Sequence, residues 1–197
     1  MINHELLIDN LCTQGFSIID DFLESSSYHV LRELAHSLHQ QGLFKNAKIG
    51  AKIQAQFNEI RKDETYWLDE DSDSSAVQAY LQQTNALACT LNQSLFLSLT
   101  KFETHFAAYQ PGSFYKKHVD QFTSTRTRKI SCVYYLNDEW QETFGGELKL
   151  YNLNDELMAT VYPQGNRFIC FKSELPHEVC VTHNMRYSIA GWMKTRC

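Results

Sequence analysis

The sequence lacks the features that would place the protein in a membrane, on a nucleic acid or outside the cell. No stretch of its 197 residues approaches the roughly 18 consecutive apolar residues that a membrane-spanning helix needs. The opening residues MINHELLIDN lack the cationic start and apolar run of a secretory signal. The net charge of −5 argues against nucleic-acid binding through bulk positive charge. We therefore expect a soluble, cytoplasmic protein that binds neither membranes nor nucleic acids.

Paired cysteines and flexible linkers are also missing. The six cysteines include no CxxC pair, and most fall in apolar runs, which favours buried free thiols over a disulfide framework or a zinc cluster. No internal repeat or low-complexity linker divides the chain, and 43% of its residues are hydrophobic, enough for one substantial core. We expect a single domain over residues 1–197, with helical support mainly in 1–100 and a strand-rich core mainly in 101–195.

The first half of the sequence has the periodicity of helices. It predicts a short helix over 3–13, a strand over 16–20 and a second long helix over 75–97, which the acidic turn DEDSDSS would cap. The run SSSYHVLRELAHSLHQQG predicts a serine-capped helix with the apolar face Val30, Leu31, Leu34, Ala35 and Leu38. His36 and His39 fall off that face, and we interpret them as solvated polar residues rather than metal ligands.

Short runs of alternating polarity replace the helical pattern after residue 101. Turn signals such as Pro111-Gly112 and Gly145-Gly146 separate eight of these runs: KFETHFAAY, SFYKKHVD, KISCVYYLN, GELKLYNL, LMATVYP, NRFICFK, HEVCVT and RYSIAGWMK. Eight antiparallel strands at this spacing predict a jelly roll, also called a double-stranded β-helix. With the N-terminal helices bracing it, the expected fold class is α+β.

The stretch YQPGSFYKKHVDQF contains a candidate metal site. In an extended segment His118 and Asp120 point to one side while Val119 turns away, so an imidazole and a carboxylate converge. Such a pair alone is typical of an ordinary surface hydrogen bond, and a metal needs a third ligand. His177 opens a later strand and is the candidate for it. Two histidines and one carboxylate on a β-barrel form the facial triad of non-haem Fe(II) oxygenases.

The last predicted strand, RYSIAGW, contains a candidate site for a cosubstrate. By strand parity Arg186, Ser188, Ala190 and Trp192 share one face. A buried arginine is favourable when a ligand supplies a carboxylate for a bidentate pair, and 2-oxoglutarate has such a carboxylate. Tyr135, inward by the same parity, could add a phenolic hydrogen bond. We take Ser188 and Trp192 as further cofactor-binding candidates.

These stretches resemble the prolyl 4-hydroxylase group of Fe(II)/2-oxoglutarate dioxygenases, in particular the bacterial and hypoxia-inducible-factor-type enzymes. The resemblance is carried by YQPGSFYKKHVD, CVYYLNDEW, FGGELKLY, LPHEV and RYSIAGW, with a weaker match in EIRKDETYWL. It implies Fe(II) as the metal, 2-oxoglutarate and O2 as cosubstrates, and ascorbate as a candidate reductant. The iron ligands that it implies are His118, Asp120 and His177.

The resemblance also implies how the cosubstrate is held. Arg186 and Tyr135 would bind the C5 carboxylate of 2-oxoglutarate, and Tyr109 would line the pocket near the metal. Arg186 stands where the collagen-type enzymes have lysine, which favours the hypoxia-factor-like branch. That branch commonly has threonine where this sequence has Ala190, so Ser188 is expected to replace part of a missing hydroxyl contact.

The expected reaction is hydroxylation of a prolyl residue, at its 4-position, in a protein substrate. A basic connector over residues 44–63 would either be solvated or, as the resemblance implies, fold over the substrate with Arg61 and Asp63 at its base. Tyr115 belongs to an aromatic lining that suits a prolyl ring. The resemblance also points to elongation factor Tu as a possible protein substrate.

Three other functions stay open on the sequence alone. The first is a 2-oxoglutarate oxygenase that acts on a free amino acid or another small molecule. The second is a zinc hydrolase, because two histidines and a carboxylate also bind zinc with an open position. That interpretation has no evident general base and leaves Arg186 without a role. The third is a non-catalytic, cupin-like binding module in which the histidines are incidental.

Overall fold

A computed structural model describes residues 2–47, 60–69, 71–121 and 124–196 of the chain. Its α-helices are α1 (His4–Thr13), α2 (Ser25–Gln40) and α3 (Ser75–Leu95), and a short 3-10 turn covers Glu142–Phe144. The strands are β1 (Phe16–Ile19), β2 (Lys45–Asn46), β3 (Glu64–Trp67), β4 (Lys101–Tyr109), β5 (Tyr115–His118), β6 (Arg128–Tyr135), β7 (Leu148–Tyr151), β8 (Leu157–Val161), β9 (Phe168–Lys172), β10 (His177–Val179) and β11 (Arg186–Lys194).

The strands form two antiparallel sheets. The major sheet has the order β1-β9-β6-β11-β4-β3-β2 and the minor sheet the order β5-β10-β7-β8. All eight predicted strands are present as β4 to β11, and β1, β2 and β3 extend the major sheet at its two edges. The prediction of an α+β fold built on a double-stranded β-helix is therefore confirmed.

Two apolar layers hold these elements together. Between the sheets, Tyr109 and Tyr135 from the major sheet pack with Leu148, Leu150 and Val179 from the minor sheet. On the other face of the major sheet, a larger cluster joins alternate strand residues to helix residues such as Leu7, Leu31 and Leu87. The period-2 alternation of β4, β6 and β11 therefore sends one set of side chains to the helices and the other to the interior between the sheets.

The helices lie close to the predicted positions, but two details of α2 differ. Leu31 and Ala35 are fully buried as expected, whereas Val30 is 53% exposed and lies outside the apolar face. The residue preceding α2 is Glu24, and no side chain makes the cap hydrogen bond, so the predicted serine cap is wrong. The cap of α3 is confirmed, because the Ser74 side chain accepts a hydrogen bond from the Val77 amide.

The two histidines of α2 are structural rather than solvated. His36 stacks on the Tyr187 ring with centroids 4.4 Å apart. His39 contacts the Tyr187 hydroxyl through Nδ1 at 2.8 Å and the Glu64 carboxylate through Nε2 at 2.9 Å. The interpretation of these residues as solvated is therefore wrong: they join α2 to the major sheet.

The cysteines of the described ranges are free thiols, as expected. Only some of them are buried: Cys132 and Cys170 lie opposite each other on β6 and β9, while Cys12 and Cys89 are exposed. The expectation that most thiols are buried is therefore wrong for the two helical cysteines, which fall on solvent-facing positions. No helix among the described residues has the length and apolarity to cross a membrane.

Candidate active site

The pairing of β5 with β10 brings the three predicted metal ligands together. In this pairing His118 at the end of β5 lies opposite His177 at the start of β10, and Asp120 follows two residues after His118. One ligand atom from each residue can be chosen so that all three lie within 4.8 Å of one another. The Nε2 atoms of His118 and His177 are 3.6 and 3.4 Å from the two carboxylate oxygens of Asp120.

Backbone carbonyls fix the orientation of both imidazoles. Nδ1 of His118 lies 2.8 Å from the carbonyl oxygen of Lys116, and Nδ1 of His177 lies 2.9 Å from that of Leu175. Each Nδ1 then carries the proton that it donates, which leaves Nε2 free to bind a metal. The donor set therefore fits a divalent cation such as Fe(II), with one negative charge from Asp120.

Hydrogen bonds from the major sheet hold the carboxylate in place. The Ser131 hydroxyl donates to Oδ2 of Asp120 at 2.7 Å and lies 2.9 Å from the Ser173 hydroxyl. Burial alone would raise the pKa of Asp120, but the neighbouring imidazoles, His177 foremost, hold it well below its usual range. Asp120 is thus ionised at neutral pH, as a metal ligand must be.

The two imidazoles differ in proton affinity. Burial lowers the pKa of His118. Burial also acts to lower the pKa of His177, but the charge of Asp120 outweighs it and the net pKa is raised. Without a metal, the proton at this site therefore resides preferentially on His177, and a cation would compete with it.

Arg186 lies deeper in the interior, close to the predicted cosubstrate residues. It is 1% exposed, its Nε donates to the Gly146 carbonyl at 2.9 Å, and its Nη1 donates to the Ser188 hydroxyl at 3.2 Å. Its guanidinium lies 4.7 Å from the centre of the Tyr109 ring and 5.2 Å from that of Tyr135. No carboxylate of the described residues pairs with Arg186.

Tyr135 adds a second group that a ligand carboxylate would satisfy. Its hydroxyl is buried, and its proton finds no acceptor among the described residues. A buried cation and a buried hydroxyl donor without an acceptor together fit the distal carboxylate of 2-oxoglutarate. The predicted parity of Arg186, Ser188 and Tyr135 is confirmed, since Ser188 pairs with Tyr135 between β11 and β6.

Two connected cavities lie over the triad. The inner one, of about 50 Å³, is lined by the three metal ligands, Tyr109 and Trp192. Arg186, Ser188 and Tyr135 do not line it, and the Arg186 guanidinium lies next to the Tyr109 ring. The outer cleft, of about 700 Å³, also reaches His118, Asp120 and Trp192. Trp192 lies at the junction of the two, so its assignment to the cofactor stays a prediction.

Two of the three predicted substrate residues, Arg61 and Tyr115, line the outer cleft, whereas Asp63 lines the inner cavity. Arg61 pairs with the buried Asp63 through two hydrogen bonds, with Nε 2.6 Å from Oδ1. The Arg61 guanidinium covers the Tyr115 ring at 4.2 Å, and that ring stacks on His118 at 3.6 Å. Asp63 therefore holds Arg61 rather than facing the cleft. The central part of the predicted basic connector, residues 48–59, lies outside the described residues.

Three residues that line the outer cleft were not predicted from the sequence. Trp67 on β3, His105 on β4 and Arg128 on β6 all line it. The Arg128 guanidinium lies 3.6 Å from the centre of the Trp192 ring. In the run KFETHFAAY, His105 has the same parity as the inward-facing Tyr109, so the sequence could have identified it. Trp67 can be placed at the cleft only when the pairing of β3 with β4 is known.

Comparison with known proteins agrees with this geometry. The sequence model of the 2OG-Fe(II) oxygenase superfamily matches residues 104–194, which include the triad and Arg186. A Pseudomonas putida prolyl-4-hydroxylase structure is 32% identical, with a TM-score of 0.87 over 98% of this chain and 99% of that one. A prolyl hydroxylase from Trichoplax adhaerens, solved with a hypoxia inducible factor peptide, is 28% identical with a TM-score of 0.87 over 97% and 88%.

Curated relatives extend the comparison. The hypoxia-inducible factor prolyl hydroxylase of Caenorhabditis elegans is 28% identical over 95% of this chain, and human Egl nine homolog 1 is 24% identical over the same share. The chain spans only 28% and 46% of the length of these two proteins.

The chain belongs to the 2OG-Fe(II) oxygenase superfamily. Within it, the chain belongs to the prolyl hydroxylase family that is related to the hypoxia-inducible-factor enzymes and to bacterial prolyl 4-hydroxylase. Fe(II) and 2-oxoglutarate are the cofactors of this family, and the HxD…H triad is the iron site. Membership of this family disfavours two of the interpretations left open by the sequence, the zinc hydrolase and the non-catalytic binding module.

Proposed function

We propose that this chain hydroxylates the 4-position of a prolyl residue in a protein substrate, using Fe(II), 2-oxoglutarate and O2. The observation that carries the proposal is the facial triad at the base of an open, aromatic cleft. The 32% identity to the Pseudomonas putida prolyl-4-hydroxylase, over nearly the full length of both chains, supports it.

The residues of the site would form two groups, one that binds iron and one that binds 2-oxoglutarate. His118, Asp120 and His177 would hold the iron, and Arg186 with Tyr135 would hold the C5 carboxylate of 2-oxoglutarate. Bound iron and 2-oxoglutarate supply the oxidising chemistry that places oxygen on an unactivated C–H bond. Ser188 and the Gly146 carbonyl orient the Arg186 guanidinium, so the cosubstrate carboxylate meets a donor already fixed in position.

Burial would strengthen the interaction between Arg186 and the carboxylate of 2-oxoglutarate. The guanidinium of Arg186 is shielded from water, and a charge-assisted pair is stronger in such surroundings than at the surface. Tyr109 and Phe171 are buried aromatic residues in the lining of the inner cavity. The protein would thereby exclude bulk water from the reacting centre, which protects reactive oxygen chemistry from side reactions.

The outer cleft fits a polypeptide segment. Its volume of about 700 Å³ is large for a free amino acid, and it runs from the triad past Tyr115 and Trp67 to the strand β2. Flat aromatic faces suit the apolar prolyl ring. Arg61, held by Asp63 over Tyr115, would form one wall beside the substrate.

Elongation factor Tu is the protein substrate that we propose to test first. Lys45 lines the outer cleft, and the sequence of the connector adds Lys48, Lys52, Arg61 and Lys62 after it. A basic rim would steer an acidic protein partner toward the cleft.

The experiment incubates the enzyme with elongation factor Tu, Fe(II), 2-oxoglutarate and O2, and then searches for a prolyl peptide heavier by 16 Da. The expected result is one modified proline, absent with His177→Ala. Replacement of residues 46–58 by a short Gly/Ser linker should reduce the yield if the connector contributes. An unmodified factor would exclude this target, and equal turnover of free proline would favour a small-molecule substrate.

A further inference from the structure

His105 is a buried histidine at the junction of the two cavities. The linings of the two cavities share six residues: Arg61, His105, Tyr115, His118, Asp120 and Trp192. Arg61 is paired with Asp63 and stacked on Tyr115, and His118 and Asp120 are metal ligands. His105 thus remains as a polar group at this junction for which the proposed mechanism has no role.

One ring nitrogen of His105 is buried without a hydrogen bond. The residue is only 3% exposed, and its Nδ1 has no hydrogen-bond partner in the part of the chain that the structure describes. Its ring contacts two indoles instead, with centroids 4.9 Å from Trp67 and 5.5 Å from Trp192. Nδ1 is enclosed by the protein while the ring lines both cavities, so Nε2 is the nitrogen that a ligand in the cavities would meet.

The surroundings of the His105 ring also determine its protonation state. Burial, and next the positive charge of Arg61, lower the pKa of His105 to about 4, so the ring is neutral at physiological pH. A neutral imidazole has one donor and one acceptor. Because a buried donor without an acceptor is rarer than an under-used acceptor, we assign the proton to Nε2 and leave the unpartnered Nδ1 as the acceptor.

We propose that His105 is a specificity-determining residue that donates a hydrogen bond from Nε2 to a backbone carbonyl oxygen of the substrate polypeptide next to the target proline. This inference rests on the proposed function. A prolyl residue has no amide proton, so the backbone on both sides of it offers carbonyl acceptors to the enzyme. The indoles of Trp67 and Trp192 fix the ring plane, because β4 is paired with β3 on one side and with β11 on the other.

Two substitutions at residue 105 separate the hydrogen bond from the ring. His105→Phe keeps a flat ring and removes both polar atoms, whereas His105→Gln keeps an amide donor near the position of Nε2. The matched control is His36→Phe, because His36 also stacks on an aromatic ring but lines neither cavity. The substrate is the fastest member of a panel of capped pentapeptides with a central proline.

We expect His105→Phe to raise the KM for the peptide about five- to tenfold, the loss of one hydrogen bond, with the KM for 2-oxoglutarate and the iron content unchanged. His105→Gln should recover most of the loss, and His36→Phe should match the wild type. Peptides with a single carbonyl oxygen replaced by sulfur, a weaker acceptor, locate the bond: one such replacement should weaken binding to the wild type and have no further effect on His105→Phe.

A wild-type KM in His105→Phe would overturn the inference, and a loss of iron or of 2-oxoglutarate affinity would place His105 in the metal centre instead. If the wild type releases no peptide-dependent succinate, the proposed function fails and the inference fails with it. Should His105→Phe not fold, NMR of 15N-histidine-labelled wild type with Zn(II) and N-oxalylglycine decides, using His105→Gln for assignment. The Nε2 proton of His105 should move downfield with peptide, and an unchanged signal would overturn the inference.

Discussion

Single side chains on the major sheet position the metal ligands of the minor sheet. Ser131 is 2% exposed and donates to the Asp120 carboxylate, and it is in turn close to the Ser173 hydroxyl. Hydrogen bonds of this kind orient a ligand and tune its basicity. The carboxylate that the metal meets is therefore held by a residue of β6 and, through it, by the residue that follows β9.

We predict that Ser131→Ala weakens metal affinity by about 10- to 100-fold, because Asp120 loses the donor that fixes its orientation. The measurement is a Zn(II) or Fe(II) titration of the apoprotein. Ser17→Ala is the control, since Ser17 is equally buried in the same sheet and does not touch Asp120. Equal metal affinity in the two variants would remove Ser131 from the site.

A second residue-level prediction concerns Arg186. Arg186→Lys keeps the charge but loses the fork that binds a carboxylate through two hydrogen bonds, so the KM for 2-oxoglutarate should rise about tenfold to a hundredfold. The control is Arg167→Lys, because Arg167 makes a two-point pair with Asp20 away from the cavities. A 2-oxoglutarate titration that superimposes on the wild type would contradict the assignment of Arg186.

At the residue scale, the sequence predicts which side chains converge when those residues are close together along the chain. Strand parity predicted that His118 and Asp120 converge, and the structure brings them together although β5 ends at His118. Ser131 was within reach of the same argument, since it shares the parity of Tyr135. Arg61 and Asp63 were predicted to lie near the substrate, but their pairing with each other depends on side-chain packing that parity does not describe.

At the level of elements, one buried asparagine connects the start of α2 to the turn before β9. The Asn166 side chain bonds to both the amide and the carbonyl of Leu23, and it accepts from the Tyr134 hydroxyl at 2.7 Å. Its backbone has φ of 59°, a left-handed conformation that asparagine tolerates better than most residues. The dipeptide Gly165-Asn166 is a turn signal in the sequence, but it does not predict this cross-link.

We expect Asn166→Ala to lower the free energy of unfolding by about 3 to 5 kcal/mol, because it leaves three buried polar groups without partners and places alanine at positive φ. Urea denaturation provides the measurement. Asp155→Ala, at φ of 68° on an exposed turn, is the control and should lose only about 1 kcal/mol. Similar losses in both variants would mean that backbone conformation, and not the hydrogen bonds, explains the effect.

The strands themselves were predictable from the sequence, whereas their pairing was not. The eight alternating runs were all confirmed as β4 to β11 because period-2 alternation is a local signal. The pairing of β1 with β9 joins Phe16 to Phe171, and the pairing of β3 with β4 joins Trp67 to His105. Such contacts are non-local, and a strand pattern in the sequence does not specify its neighbour.

At the scale of the whole molecule, the reactivity of the cysteine thiols shows whether the chain is folded. Burial raises the pKa of Cys170 to about 12, and the same cause raises the pKa of Cys132, so neither thiol ionises readily in the folded protein. Cys12 and Cys89 are exposed on helices. Since the thiolate is the reactive form, exposed and buried thiols should differ widely in alkylation rate.

We predict that iodoacetamide labels Cys12 and Cys89 in the native protein, while Cys132 and Cys170 react only when the chain unfolds. Peptide mapping after labelling pulses along a urea series gives the rate for each thiol. The labelling of Cys132 and Cys170 should follow a single unfolding transition, since both lie in the sheet that joins the two cores. Reaction of Cys132 in the native state at the rate of Cys12 would contradict the described packing.

The most direct test of the central claim measures two products of one reaction in the Fe(II)-reconstituted protein. Succinate and hydroxyproline are quantified after incubation with 2-oxoglutarate, O2 and a proline-containing polypeptide, with His177→Ala as the inactive control. We expect one hydroxyproline for each succinate released above the peptide-free background, and neither product from the control. Succinate release without hydroxyproline, or undiminished turnover by His177→Ala, would contradict it.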